Sequence, residues 1–302
     1  MSTNQLSCLN SVKRSSNTRP PTISFAIVQS TRDRSGSMDS YQSVAGLSLY
    51  QSIKDHQANS IKNNVNTIYS LTTFDSMVDR PYSSVDINTI ELSEEEAMSL
   101  VEPRGLTRLF ATAIEDLARL RKSVKEKKAE NPNYEVVGVF ELHTDGLDNK
   151  SRPLTAEDLN EAVTLARDEG ITCIFAGANQ DAVSTGESYG FDRGHSLTTD
   201  STPDRGAEGL RVCSAAVMRA CSGAPSQFTQ AERQTSIPQN LPTSPTSPTS
   251  PTSPTSFSNS SAIMPPAGLS QVPRMHRQRA SPCNTVLHHP PSIVRKVNFH
   301  ES

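Results

Sequence analysis

Three short segments carry oxygen-bearing side chains at spacings that could do chemistry. The first is Asp33-Arg34-Ser35-Gly36-Ser37, with an acid and two hydroxyls at alternate positions; the others are Gly105-Leu106-Thr107 and Thr144-Asp145-Gly146. Asp33, Ser35, Ser37, Thr107 and Asp145 together offer two carboxylates and three neutral hydroxyls. Such a set suits a small, hard cation, Mg²⁺ or Mn²⁺, which takes about six oxygen ligands, keeps several waters and needs only one or two carboxylates. The hydroxyls of Ser35, Ser37 and Thr107 would be neutral ligands, and Asp33 and Asp145 would touch the ion or accept from its waters. With so few anionic ligands the ion would keep positive charge and an open position, which an Asp or Glu on a protein partner could fill. Taken singly, each piece has an ordinary explanation: a helix cap at Asp33 or Thr107, turn residues at Ser35 and Ser37, a tight turn at Asp145-Gly146. Their joint occurrence favours a site.

The surrounding pattern places all three segments on one edge of a sheet. Ile23 to Val28 is a short apolar run of the kind that forms a strand buried on both faces, and it leads into the Asp33 segment. Ala45, Leu49 and Ile53, with Val44 and Leu47 beside them, recur at three to four residues, giving a helix to about Ala58. Strands are expected at Val65–Phe74 and, more weakly, Met77–Tyr82. From Thr107 the stripe Leu109, Phe110, Ala113, Ile114, Leu117, Leu120 and Val124 marks the clearest helix, with Glu115, Arg119, Arg121 and Lys122 on its other side. Val136–Leu142 is a buried strand ending at Thr144-Asp145-Gly146. Thr155–Asp168 is a helix opening with a capping pattern, Ile171–Ala176 a strand and Ala207–Ala220 a last helix. Strands alternating with helices imply an α/β, doubly wound, mostly parallel sheet with helices on both faces. Ligand sites in such sheets form at the carboxyl ends of strands.

Composition sets the limits of the folded part. Residues 1–20 are rich in Ser, Asn and Thr and are expected to be a disordered lead-in. The folded domain is expected to span 21–222, and 223–302 to be a disordered Pro/Ser/Thr-rich tail. Between Pro242 and Ser256 the triplet Pro-Thr-Ser repeats five times, a composition that favours extended conformations and buries no core. The formal charge is −3 overall; six bases and two acids after Ser222 make the tail +4 and leave −7 for the rest. That distribution argues against a nucleic-acid partner, which requires a dense basic face on the folded part. No apolar run approaches the roughly 20 residues that span a bilayer, and the first 20 residues lack the apolar core of a signal peptide; the expected address is cytoplasmic or nuclear. Cys8, Cys173, Cys213, Cys221 and Cys283 have no CxxC spacing and are read as buried small residues or tail thiols.

The five oxygen-bearing residues give the sequence a specific likeness. It resembles the von Willebrand factor A family, whose metal-ion-dependent adhesion site has the pattern Asp-x-Ser-x-Ser, a distal Thr and a later Asp, often within Thr-Asp-Gly. Asp33, Ser35, Ser37, Thr107 and Asp145 occupy those positions, and the flanks Arg104–Ile114 and Leu142–Asn149 agree. Phe175-Ala-Gly-Ala-Asn-Gln-Asp-Ala182, with the Gly-rich segment around Tyr189 and Gly194, is similar to stand-alone intracellular members. The likeness covers roughly residues 20–222. It implies a Rossmann-like fold and a divalent-metal-dependent protein-binding module, an adaptor or scaffold, without catalytic residues. The chain departs from the family pattern at Gln29-Ser30-Thr31-Arg32, polar where apolar residues are usual. A cation at Arg32 is unfavourable beside a metal unless it points away, and extra residues could displace the Asp33 loop; this bears on metal affinity more than on fold, with a shifted register, a bulge or a faulty gene model as the alternatives.

Two other functional readings compete. An aspartyl-phosphate phosphatase or phosphotransferase would use Asp33 as nucleophile with the same metal, but such enzymes want a second Asp where Ser35 stands, and a Lys nearby. A metal-free structural module would follow if the Gln29–Arg32 stretch disabled the site. His143 beside Asp145 could serve acid–base chemistry, yet no nucleophile or orienting group accompanies it. Asn179 and Asp181 are expected to cap a helix, Glu94–Glu96 to open one, and Arg121–Lys128 to form a wet helix face. In the tail, Ser244, Ser247, Ser250, Ser253 and Ser281 precede Pro, so phosphorylation would add about −1.5 to −2 charges at each; passive linker is the default.

Overall fold

In a computed structural model, residues 23–178, 180–200 and 202–236 are described; the lead-in, the Pro-Thr-Ser repeats, the Ser-Pro positions, Cys8, Cys283 and Asn179 lie outside them. Six strands form one sheet in the order β3-β2-β1-β4-β5-β6. They are β1 (Ile23–Asp33), β2 (Asn66–Phe74), β3 (Val78–Asp86), β4 (Glu135–Thr144), β5 (Thr172–Ala178) and β6 (Ser196–Thr199). All neighbours run parallel except β3, which pairs antiparallel with β2 at the edge. On one face, α1 (Gln42–Asn63), α2 (Glu94–Leu100) and α6 (Pro203–Cys221) bury Leu49, Ile53, Val217 and Cys213 against Ala26, Val28 and Val139. On the other, α3 (Leu109–Glu130), α4 (Ala156–Asp168) and α5 (Ala182–Ser188) bury Leu117, Leu120 and Leu159 against Ile27, Phe140 and Phe175. This is the expected doubly wound α/β fold. The chain reverses its direction of travel across the sheet between β1 and β4, so the switch point lies at the ends of these two strands.

The local rules behind these elements are ordinary ones. Thr155 caps α4 with a full capping box to Asp158, and Ser93 does the same for α2 through Glu96, each satisfying donors that a helix end leaves open. Asp181 caps α5 by accepting from the Ser184 N–H at 3.1 Å. Cys173, Cys213 and Cys221 are free and buried.

Neither a bulge nor a register shift occurs at Gln29–Arg32. β1 continues for eleven residues to Asp33, and its register with β2 is unbroken from Phe25↔Asn66 to Asp33↔Phe74. The physical reason is that each polar side chain meets a polar partner inside the sheet. Toward α3, Thr31 Oγ1 donates to Asp116 Oδ2 at 2.8 Å, and Gln29 Nε2 donates to the same oxygen at 3.3 Å and to Thr72 Oγ1 at 3.1 Å. Toward α1, Ser30 Oγ donates to Glu141 Oε2 at 2.9 Å, and Arg32 lies 3.6 Å from that carboxylate, with its Nε on Ser30 Oγ at 3.1 Å. Arg32 and Glu141 are both buried, at 4% and 1% exposure. Burial works to raise the Glu141 carboxyl, but His143 and the Arg32 guanidinium more than offset it and hold it well below the usual carboxylate range.

Two elements were not legible in the pattern. β6 is only four residues, Ser-Leu-Thr-Thr, and α7 (Gln230–Ser236) has no apolar stripe. With α7, the domain boundary moves past Ser222: Phe228 is buried at 6% exposure and Arg219 pairs with Glu232 at 2.9 Å. The first stretch of the expected tail therefore packs on α6.

The buried Arg32–Glu141 pair yields a stability test. Glu141→Ala leaves a guanidinium buried without its counter-charge and should cost about 3–5 kcal/mol, whereas the apolar pair Arg32→Met with Glu141→Leu should recover most of that loss. Urea denaturation of the three proteins measures it; a loss below about 1 kcal/mol for the single change would mean that Arg32 finds solvent instead.

Candidate functional site

The three segments meet at the carboxyl ends of β1 and β4. Loop 33–37 and loop 104–107 are stitched by backbone bonds, Arg104 N–H to Arg34 C=O at 2.8 Å and Gly36 N–H to Gly105 C=O at 3.2 Å. Gly105 allows this approach: its φ is +69°, and a Cβ there would sit 2.8 Å from Ser76 Oγ, so any other residue would be strained twice over. Loop 33–37 joins loop 144–146 through side chains. Thr144 Oγ1 donates to Asp33 Oδ2 at 2.6 Å, and Ser37 Oγ donates to Asp145 Oδ1 at 2.8 Å. Loops 107 and 149 close the triangle, with Thr107 N–H on Asn149 Oδ1 at 2.8 Å and Asn149 N–H on Thr107 C=O at 3.0 Å.

Within that frame the oxygens line up. The Ser35 N–H holds Asp33 Oδ1 at 2.7 Å, Ser35 Oγ lies 3.1 Å from Ser37 Oγ, and Ser37 Oγ lies 2.8 Å from Asp145 Oδ1. Adjacent ligands on an ideal octahedron around Mg²⁺ are about 2.9 Å apart, given metal–oxygen distances of about 2.0–2.1 Å. The two oxygen–oxygen spacings, 3.1 and 2.8 Å, are those of ordinary hydrogen bonds and are compatible with the edge of such a shell. Thr107 is buried at 3% exposure, and its hydroxyl makes no hydrogen bond among the described residues. It is not the cap of α3: Arg108 holds that position without a side-chain cap bond, while Asp148 Oδ1 accepts from Phe110 N–H at 3.2 Å and Ser151 Oγ from Ala111 N–H at 3.0 Å. The neighbouring loop performs the capping and leaves the Thr107 hydroxyl spare.

The electrostatics of the site are those of a place short of positive charge. Asp33 is 1% exposed, and burial pushes its pKa from 3.8 to about 6, against the bonds from Thr144 and Ser35 and with a small push from Asp145. Burial also raises the Asp145 carboxyl, against the bond from Ser37. Among the described residues neither acid is in an ion pair, although arginines flank Asp33 on both sides. Arg32 is turned to Glu141, and Arg34 is buried against Asp75 at 3.0 Å and Asp79. Arg104 binds the same two acids at 2.7 and 3.0 Å. A cation brought between Asp33 and Asp145 would relieve both carboxylates. Among the described residues no group of three or more His, Cys, Asp or Glu gathers to hold a metal; Asp33, Ser35, Ser37, Thr107 and Asp145 offer side-chain oxygens alone, the donor type that suits a hard ion.

All five sequence-predicted residues thus fall within one connected network, with Thr107 tied in through its backbone. Sequence reasoning missed the residues that position them. Asp148 and Asn149 are marked only as part of the flank Leu142–Asn149, without a role, and Ser151 has no signal beyond a polar loop. Glu141 and Asp116 did leave a signal: each is a carboxylate at a core-facing position, one inside a buried strand and one on the apolar stripe of α3, which demands a buried polar partner. His143 is 6% exposed and lies 2.7 Å from Glu141; burial lowers its pKa, against the pull of that carboxylate.

No family model and no curated protein matches the sequence. Solved structures with similar folds include proximal thread matrix protein 1 from the mussel byssus, at 21% identity and a TM-score of 0.40, covering 66% of this chain and 47% of that one. Another structure of the mussel protein, at 20% identity and a TM-score of 0.39, covering 66% of this chain and 46% of that one, has a zinc-occupied MIDAS motif, the metal-ion-dependent adhesion site. A von Willebrand factor type A protein from Catenulispora acidiphila matches at 17% identity and a TM-score of 0.42, covering 65% of this chain and 43% of that one. The chain spans less than half the length of each of these proteins.

The raised Asp33 pKa has a measurable consequence for the metal-free protein. Because the folded state holds the proton more tightly than the unfolded chain, stability falls as pH rises from 3.8 to about 6 and stays lower above it. Asp33→Asn should therefore stabilise the protein in chelator at pH 7.5 by about 2–3 kcal/mol and give almost no gain at pH 4. Chemical denaturation of both proteins at the two pH values checks this; equal stability at pH 7.5 would show that the buried carboxylate carries no such cost.

Proposed function

We propose that this chain is an intracellular von Willebrand factor A-type module that binds a protein partner through a divalent ion, Mg²⁺ or Mn²⁺, held at Asp33, Ser35, Ser37, Thr107 and Asp145. The observation that carries the proposal is the pair of carboxylates, Asp33 and Asp145, linked through the hydroxyls of Ser35 and Ser37, with neither acid in an ion pair among the described residues. When bound, the ion would supply an electrophilic position for an Asp or Glu side chain of the partner. The chain's own residues do the rest. Thr144 and the Ser35 N–H fix the rotamer of Asp33, Asn149 fixes the backbone of Thr107, and the Asp75–Asp79 pair draws Arg34 and Arg104 away from the ion's place.

The surface around the site supports a protein ligand. Met77, Leu106 and Leu147 are 65%, 48% and 72% exposed. All three sit on loops at this edge of the sheet: Leu106 N–H donates to Ser76 Oγ at 2.8 Å, and Leu147 lies between the Gly146 and Asn149 contacts already described. Exposed apolar residues gathered beside a charged anchor are what a protein interface requires, since they supply the burial that a single ionic contact lacks. No described helix is long and apolar enough to cross a membrane.

No specific observation favours the phosphatase or phosphotransferase reading. Asp33 is almost fully buried with a hydrogen bond on each carboxylate oxygen, a poor arrangement for attack on phosphorus. The reading as a metal-free structural module loses its motive, since the Gln29–Arg32 stretch leaves the β1 register intact.

Affinity capture from a lysate with the full chain tests the proposal. Partners should be retained in Mg²⁺ and lost both in chelator and with Asp33→Ala or Thr107→Ala, while Leu147→Ser should weaken capture about tenfold, in the range of a truncated interface anchor. Capture that is indifferent to chelator and to Asp33→Ala would overturn it.

A further inference from the structure

A second feature lies on the α3 face, away from the candidate metal site. The amino-terminal turn of α3 adjoins Thr107, whereas residues Arg119, Lys122, Ser123 and Glu126, spaced to share one side of the helix, line a hollow roughly 15–20 Å further along its axis. The opposite wall is the β2–β3 hairpin. The hollow holds about 220 Å³.

The hairpin wall is irregular in a specific way. Between Tyr69↔Val85 and Leu71↔Tyr82 the pairing advances two residues on β2 and three on β3, so β3 carries an extra residue at Ser83-Ser84. Ser84 adopts a left-handed conformation with φ +53°, unusual for a residue other than glycine, and its N–H donates to the side-chain Oγ of Ser70 on β2 at 2.9 Å. Such bulges re-aim side chains and end pairing locally. Here the bulge lies against the hollow, where the Ser70 hydroxyl keeps its own proton available to a ligand.

The charges are unevenly used. Arg80 Nη2 is paired with Glu115 at 3.1 Å and Asp116 at 3.3 Å, yet its Nε is buried and has no hydrogen-bond partner. Arg119 is in no ion pair among the described residues, and Lys122 meets only Glu126, at 3.8 Å between two exposed side chains. A lone buried guanidinium N–H costs free energy unless something accepts from it. The hollow's lining holds three cations and one acid, Glu126; the unpaired Arg119, the unpartnered Nε of Arg80, the weakly held Lys122 and several serine hydroxyls match a tetrahedral oxyanion with multiple acceptor oxygens.

We propose that the hollow between α3 and the β2–β3 hairpin is a binding site for a phosphate group, with Arg80, Arg119 and Lys122 supplying charge and Ser70, Ser84 and Ser123 lying against its oxygens. The site is independent of the metal-dependent reading, because none of its residues belongs to the metal-site network. The group could arrive as inorganic phosphate or as a phosphorylated serine, and the shared chemistry is the dianionic tetrahedral oxyanion.

Calorimetry on the full chain in chelator tests this with inorganic phosphate, phosphoserine and serine, in sodium chloride of matched ionic strength. Saturable binding of phosphate is expected, weakened about tenfold or more by Arg119→Gln with Lys122→Gln, and unchanged by Lys54→Gln, a half-buried lysine on α1 outside the hollow. Phosphoserine binding at least as tightly as phosphate, with serine silent, assigns a phosphorylated side chain; phosphate binding alone assigns the free ion. Heats that do not saturate, or an equal loss from Lys54→Gln, would mean only a diffuse charge effect and would overturn the site.

Discussion

A carboxylate can stand at the end of a buried strand only if the strand reaches that far, and in this protein the last stretch of the strand is polar. Burying Gln29, Ser30, Thr31 and Arg32 without partners would cost more than the small net stability of a domain. The sheet provides the partners from both sides, Asp116 on α3 for the odd residues and Glu141 on β4 for the even ones. The geometry of the site follows from that constraint. Because β1 stays in register through Asp33, its carboxylate arrives beside Thr144 at the end of β4, and the hydroxyls of Ser35 and Ser37 turn toward Asp145.

The same arrangement settles the charge near the site. Asp33 has an arginine on either side, and each has been given an acid of its own: Glu141 beneath the sheet's end for Arg32, Asp75 and Asp79 at its edge for Arg34. Cations that would otherwise compete for Asp33 are thereby spent on structure. What is left is a buried acid with a raised pKa, a second acid across a serine and an unused threonine hydroxyl, a combination that a small ion would satisfy better than any side chain present.

Much of this was legible in the sequence because loops at the carboxyl edge of a parallel sheet carry their chemistry in short, readable segments. The helical stripe from Leu109 to Val124 and the capping box at Thr155 read directly into structure, and the segments of Asp33, Thr107 and Asp145 meet at one edge of the sheet. The fate of Gln29–Arg32 did not, because the stretch looks like an interruption until Asp116 and Glu141 are brought against it, and pairing across roughly a hundred residues of chain is a tertiary fact. The capping of α3 by Asp148 and Ser151 was hidden for the same reason. β6 and α7 escaped because neither has a period: one is four residues long and the other is polar throughout, held by Phe228 and the Arg219–Glu232 pair rather than by an apolar stripe of its own.

The direct measurement is a titration of the full chain with Mn²⁺, followed by the paramagnetic resonance signal of the free ion. A site assembled as described should bind one Mn²⁺ per chain, with Mg²⁺ competing, binding abolished by Asp33→Ala and weakened by Thr107→Ala. No saturable uptake of Mn²⁺, or uptake that survives Asp33→Ala unchanged, would contradict the account, because it would mean that the network of Asp33, Ser35, Ser37 and Asp145 holds the loops together without holding an ion.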